Sequence, residues 1–129
     1  MTPCRPMGAL RIDRLTGPPG PLRDGAGRVI AARCYRATSA LARLVGLLGT
    51  PDLAPDEALW LEPCNSVHTA ALRAPIGCAF LDVGGRALRV VDPLPRWRVA
   101  GARGARAVVE CRAGALAGMA PGDRLERAA

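Results

Sequence analysis

The sequence predicts a mainly β (α+β) fold: a compact antiparallel β-barrel-like domain with one or two short helices. Short apolar runs of strand length recur from residue 28 onwards, and Gly- and Pro-rich turns separate them. A segment around residues 39–48 repeats apolar side chains at helical spacing. A chain of 129 residues has room for one domain with a modest core.

The N-terminal part, residues 1–27, is interpreted as a flexible Pro/Gly-rich tail, and residues 28–129 as the single domain. Its last part reads T-G-P-P-G-P-L-R-D-G-A-G. Proline lacks a backbone N–H and glycine weakens regular structure, so this run is expected to form neither a helix nor a paired strand.

The first half of the domain begins with a predicted strand over residues 28–36. Thr38 or Ser39 can then cap a helix, which Gly46 and Gly49 end and Pro51 prevents from continuing. The apolar face of this helix consists of Leu41, Leu44, Val45 and Leu48.

A short strand is predicted at residues 58–61, which Pro63 stops, and residues 66–73 form an extended or loosely helical connection. A buried strand follows at residues 76–83, and Gly84-Gly85 supplies hairpin chemistry because glycine accepts positive φ.

The return strand covers residues 86–91 and is interrupted by Pro93 and Pro95. The remaining predictions are a loop at 95–98, a strand at 107–111, a short helix at 113–119 and a last strand at 124–126.

The composition is strongly basic, with a net charge of +7, which suggests a surface that could meet an acidic partner. All 18 basic residues are arginine. They are scattered, without the aromatic interleaving that nucleic-acid-binding sheets use, so the pattern disfavours nucleic-acid binding.

Cysteines at positions 4, 34, 64, 78 and 111 form no C-x-x-C pair and are odd in number. This pattern favours reduced thiols over disulfides or a zinc site. No segment has the length and apolarity of a membrane span or a secretory signal, so we expect a cytoplasmic protein without metal or cofactor.

A set of spaced motifs resembles the bacterial and archaeal domain of unknown function 192 family. They are S-V-H-T at 66–69, Pro75-Ile76, A-F-L-D at 79–82 and Gly85, flanked by R-L-V-G-L-L-G at 43–49, V-V-E at 108–110 and P-G-D-R-L at 121–125. The resemblance covers about residues 29–126. It implies a small β-rich barrel-like domain without assigned chemistry, and an accessory role, since some relatives accompany pilus or secretion assembly genes.

Two positions depart from the family pattern. The acidic residue of its Pro-Ile-Asp step is Gly77 here, and the Met that usually precedes it is Leu72. If that Asp carries chemistry in relatives, this chain has lost it.

The candidate binding residues are His68, Thr69, Arg73, Asp82, Glu110 and Trp97. Glu110 lies within an apolar strand, where a carboxylate must be paired, exposed at an edge or functional, and Arg73 or Arg106 could be its partner. Asp82 has a sufficient structural role in its glycine turn. Trp97 fits an exposed contact surface.

Three hypotheses remain. The leading one is a non-enzymatic binding or accessory domain whose groove around His68 takes a small ligand or peptide. The alternative is a small hydrolase or thiol-dependent enzyme using Cys64 and His68, with Asp82 or Glu110. The third is a basic nucleic-acid-binding module, which would need Arg73, Arg86, Arg89, Arg96, Arg98 and Arg103 on one face.

Overall fold

The computed structural model describes residues 18–37, 53–68 and 75–127. This part of the chain contains nine strands: β1 Gly20–Asp24, β2 Val29–Ala37, β3 Glu57–Leu61, β4 Ser66–His68, β5 Ile76–Leu81, β6 Ala87–Leu94, β7 Val99–Gly101, β8 Ala107–Arg112 and β9 Leu125–Arg127. Within these ranges no helix has the length and apolar character needed to cross a membrane.

Seven strands form one curled sheet in the order β6-β5-β8-β3-β2-β1-β9. Neighbours are antiparallel except for β2 and β3, which are parallel. The two ends of the sheet approach each other, because Arg86 and Arg124 form an isolated bridge and the Leu125 N–H donates to the Gly85 carbonyl at 3.0 Å. The fold is therefore mainly β, with the sheet curled into a half-barrel.

The concave side of the sheet holds the inner core, to which every strand of the large sheet contributes. Small side chains dominate it, so opposite walls can approach closely. Leu116, from the turns after β8, also lies in this core. The buried members are Leu22, Ala31, Cys34, Ala58, Ala79, Leu81, Ala87, Ala107, Val109, Cys111, Leu116 and Leu125.

The convex side of the sheet carries the outer core. β4 and β7 form a separate two-stranded sheet, and their residues Val67 and Ala100 belong to this cluster. The small sheet therefore packs against the convex side. The other buried members are Tyr35, Leu53, Leu59, Leu61, Ile76, Cys78, Phe80, Leu94 and Val108.

Two prolines lie in strands, at positions where the sequence predicted no strand. Pro21 lies in β1 at an irregularity between Gly20 and Leu22, and such a break in the ladder tolerates the missing N–H. Pro93 lies at a register irregularity in β6, between the Cys78–Val91 and Ile76–Leu94 pairs. Among the described strands, β6 is also the terminal strand of the large sheet. The predictions that residues 16–27 cannot pair and that Pro93 interrupts the return strand were therefore wrong.

The short helix predicted over residues 113–119 is replaced by successive turns. Gly114 and Gly118 have φ of 94° and 86°, which an α-helix does not accept. The helix predicted at 39–48 lies outside the described residues. The parallel β2–β3 pair corrects the expectation of an entirely antiparallel sheet.

Gly77 in β5 makes room for a carboxylate from β6. A Cβ at Gly77 would lie 2.7 Å from Asp92 Oδ2, a distance that side chains do not tolerate. The Asp92 oxygens accept the N–H groups of Gly114 at 2.7 Å and Leu116 at 2.8 Å. Asp92 thus fixes the turn that inserts Leu116 into the inner core, and it needs a glycine opposite.

Replacing Gly77 with Ala should displace the Asp92 carboxylate. We expect the free energy of unfolding in urea to fall by about 1–3 kcal/mol, the usual cost of overpacking. Gly84→Ala is the control, because its Cβ would meet Asp82 Oδ1 at an ordinary 3.5 Å. Equal losses for the two variants would contradict this account.

Candidate functional site

Glu110 lies in β8, an interior strand flanked by β3 and β5. Its direct cross-strand neighbours are Leu59 and Cys78. Because paired residues project to the same side of a sheet, Glu110 faces the convex side together with these two outer-core residues. Only 3% of Glu110 is exposed.

The Glu110 carboxyl has no hydrogen bond or ion pair with any residue in the part of the chain that the structure describes. Burial raises its pKa from 4.5 to about 8. The group is therefore a neutral acid near pH 7, able to donate one hydrogen bond through its O–H and to accept others. A buried polar group left without a partner is costly and calls for an explanation.

Glu57 shows what a structurally satisfied buried glutamate looks like in the same sheet. It is 2% exposed, but its Oε1 accepts the Ala54 N–H at 3.0 Å and its Oε2 lies 3.4 Å from Arg33 Nη2. Arg33 also holds Asp56 through two nitrogen–oxygen contacts. The difference in partners, with equal burial, distinguishes Glu110 as the candidate site residue.

Arg106 does not pair with Glu110, contrary to one sequence-based suggestion. Its side chain is 59% exposed and its Nε lies 4.0 Å from Glu62 Oε2. Arg73, the other suggested partner, lies outside the described residues.

The predicted groove is only partly within the described chain. His68 ends β4 and pairs through its backbone with Val99 of β7. The strand that carries it thus covers the convex side on which Glu110 faces. The side chain of His68 and all of Thr69 lie outside the described residues, so their convergence with Glu110 stays a prediction.

Asp82 has the structural role that its turn suggests. Its Oδ1 accepts the N–H groups of Gly84 at 2.8 Å and Arg86 at 3.0 Å. Gly85, in the same turn, has a φ of 84°. This carboxylate oxygen is committed to holding the β5–β6 hairpin.

The thiols of Cys34, Cys78 and Cys111 are buried, and burial raises the pKa of each above its usual range. Such thiols remain protonated and are poor nucleophiles. Cys64 is less buried, and its Sγ–H donates to the Ser66 carbonyl at 3.1 Å. In the described ranges, no group of three or more His, Cys, Asp or Glu is arranged to hold a metal.

Trp97 lies in the turn between β6 and β7 and is 66% exposed. Its φ is 62°, in the left-handed region that bulky side chains avoid. Val99, two residues on, is 77% exposed. An exposed aromatic held in a strained backbone fits a contact surface, and strain of this kind concentrates at functional positions.

Sequence reasoning missed the role of Asp92. The available signal was the glycine at 77, within a strand whose other residues are all larger. A missing side chain in a buried strand often marks the close approach of another group.

The family model described as an uncharacterised ACR, the domain of unknown function 192, matches residues 23–127. The chain belongs to this family. The resemblance read from the spaced motifs is confirmed. A search of curated proteins finds no match to this sequence.

Two solved structures share the fold of this family member. A Sinorhizobium meliloti 1021 protein named a "putative transcription regulator" has a TM-score of 0.69 and 22% identity, over 83% of this chain and 90% of its own. A Novosphingobium aromaticivorans protein of unknown function has a TM-score of 0.69 and 20% identity, over 92% of this chain and 99% of its own. At these identities the likeness shows the fold alone.

Glu110 should make the protein less stable as pH rises. Its pKa is about 8 in the folded state against 4.5 as the ordinary value, so the folded state binds the additional proton and stability falls between these two values. The loss should approach roughly 1.4 kcal/mol per pH unit within this window.

Urea unfolding of wild type and Glu110→Gln between pH 5 and pH 8 checks this expectation. The neutral amide should flatten the profile. Asp24 and Asp56 do not interfere, because their lowered pKa values place their effect below this range. Parallel profiles for the two proteins would contradict the assignment.

Removing the backbone strain at Trp97 should stabilise the fold. Glycine accepts a φ of 62° without steric cost, so Trp97→Gly should raise the free energy of unfolding by about 1 kcal/mol. Thermal unfolding measures this. Val83→Gly, at a residue that is 89% exposed, is the control and should have no such gain. A loss of stability in Trp97→Gly would disprove the strain.

Proposed function

We propose that the protein is a non-enzymatic binding domain whose ligand site lies on the convex side of the sheet at Glu110. The observation that carries this proposal is the buried, neutral Glu110 carboxyl, which has no polar partner among the described residues. The predicted groove residues His68, Thr69 and Arg73 would form the rest of the site.

The chemistry of Glu110 defines the ligand. A neutral acid surrounded by apolar side chains favours a ligand group that offers a hydrogen-bond acceptor, such as an amide or ketone oxygen, and carries no net charge. Cys78 and Leu59 on the adjoining strands are buried and make the surroundings of this carboxyl apolar. A small neutral amide or a peptide segment meets both requirements.

Catalysis has less support. The Asp82 oxygen and the Cys64 thiol already make hydrogen bonds to the backbone. The buried thiols are protonated, so a thiol-dependent hydrolase would lack its nucleophile among them.

Nucleic-acid binding also has less support. Several guanidinium groups are bonded to backbone carbonyls: Arg86 to Gly122, Arg89 to Gly101, Arg124 to Gly84 and Arg127 to Cys34. These arginines link parts of the fold.

A fragment library of small neutral amides tests the proposal by ¹H–¹⁵N NMR at pH 6.5. Hits should shift the amide signals of β3, β5 and β8 in wild type and in Glu110→Gln, which keeps size and polarity. Glu110→Leu should bind at least roughly tenfold more weakly, because it removes the hydrogen-bonding group. Glu126→Leu, at an exposed position of β9, is the control.

Two results would overturn the proposal. One is equal binding of the hits to wild type and Glu110→Leu. The other is an absence of amide fragments that shift signals around Glu110.

A further inference from the structure

A cavity lies away from the Glu110 face, between the β1–β2 turn and the turns that follow β8. Its volume is about 490 Å³, within the range of about 300–1,000 Å³ typical of small-molecule sites. The β1–β2 turn forms one wall and the Leu116–Met119 turn the other, while Asp123 and Arg124 complete the rim. It shares no residue with the candidate site.

Both walls of this cleft are held in place by buried or turn-forming carboxylates. Asp24 Oδ1 accepts the N–H groups of Ala26 at 3.0 Å and Arg28 at 2.9 Å, which fixes the β1–β2 turn. Asp92 fixes the opposite wall through Gly114 and Leu116. A cleft whose walls are already ordered loses little conformational entropy when a ligand binds.

The floor of the cleft is apolar. Ile30 and Met119 are half-buried and pack against the inner core, and Leu116 is 2% exposed. A ligand reaching this floor would gain by covering apolar surface, at about 25 cal/mol per Å².

The rim has basic groups with donors to spare, whereas its acids are more fully engaged. Asp24 accepts two backbone N–H groups and also lies 3.3 Å from Arg28 Nε, and Asp123 Oδ2 accepts the Ala120 N–H at 2.9 Å. Arg28 uses its Nε in this contact, and Arg124 Nη2 donates to the Gly84 carbonyl at 3.3 Å. The other N–H groups of the two guanidiniums make no hydrogen bond or ion pair with the described residues and are available to an anion.

We propose that this cleft binds a small organic carboxylate, with its apolar tail on Ile30, Leu116 and Met119 and its carboxylate at Arg28 and Arg124. Guanidinium groups match the planar carboxylate geometry and make charge-assisted hydrogen bonds with it. The net charge of +7 adds a favourable field for an anion.

Hexanoate is the probe, added to the full-length protein at pH 7 while ¹H–¹⁵N NMR signals are followed. It should shift the signals of the β1–β2 turn and of residues 116–119. Hexan-1-ol, hexylammonium and inorganic phosphate should each bind at least roughly tenfold more weakly, since each lacks either the anion or the apolar tail.

Two variants test whether the carboxylate of the ligand binds at Arg28 and Arg124. Arg28→Gln and Arg124→Gln should each weaken hexanoate binding by roughly tenfold, the expected effect of one lost charge-assisted bond. Arg103→Gln is the matched control, because Arg103 is exposed in the turn after β7 and does not line the cleft. The comparison of hexanoate with hexan-1-ol needs no variant, so it stands even if a variant misfolds.

The proposal is overturned by any of three results. Hexan-1-ol or phosphate binds as tightly as hexanoate, Arg103→Gln weakens hexanoate as much as the two rim variants, or the shifted signals lie outside the cleft.

Discussion

The position of β8 between β3 and β5 is the constraint on which both cores and the candidate site depend. The two registers place Val109 and Cys111 on the concave side and leave Val108 and Glu110 on the convex side. Because side chains alternate along a strand, a slip of one residue would exchange these sets and move the acid into the inner core. Pairing on both sides of β8 therefore holds Glu110 on the convex side of the sheet.

Two groups of acidic residues in this protein differ in what their carboxyl groups contact. In the first group, the carboxylate oxygens accept hydrogen bonds from backbone N–H groups and so stabilise turns. Its members are Asp24, Asp82, Asp92 and Asp123. Two glutamates are buried in the sheet, and only Glu57 has partners in the described ranges. An acid that stabilises a turn has a structural role. Glu110 has no such structural role among the described residues, and this contrast supports a binding role for it.

Much of the fold could be predicted from local sequence, because strands and their turns are encoded in short apolar runs and glycines. The Gly84-Gly85 hairpin is confirmed, and so are the strands predicted at 28–36, 58–61, 76–83 and 107–111, whose bounds differ from the structure by one or two residues. The parallel pairing of β2 with β3 was missed, since pairing depends on distant segments. The predicted helix at 113–119 failed because Gly114 and Gly118 adopt positive φ.

The candidate site was less predictable than the fold. The unusual position of Glu110 in an apolar strand was visible in the sequence, but its lack of a described partner depends on the registers of three strands. Asp92 was not recognised, since its role requires a close approach to Gly77 across the β5–β6 pair. The cleft likewise lies between residues 24–30 and residues 116–124. Local sequence patterns do not show that two segments so far apart in the chain lie close together.

The most direct test of the central claim is the protonation of Glu110 itself. The ¹³C signal of its side-chain carboxyl can be assigned by comparison with Glu110→Gln and followed by NMR from pH 3 to pH 10. This carboxyl should titrate near pH 8, because burial raises its pKa to about 8. A midpoint near the ordinary value of 4.5 would mean that the acid is ionised and satisfied in the folded protein, and would contradict the proposed site.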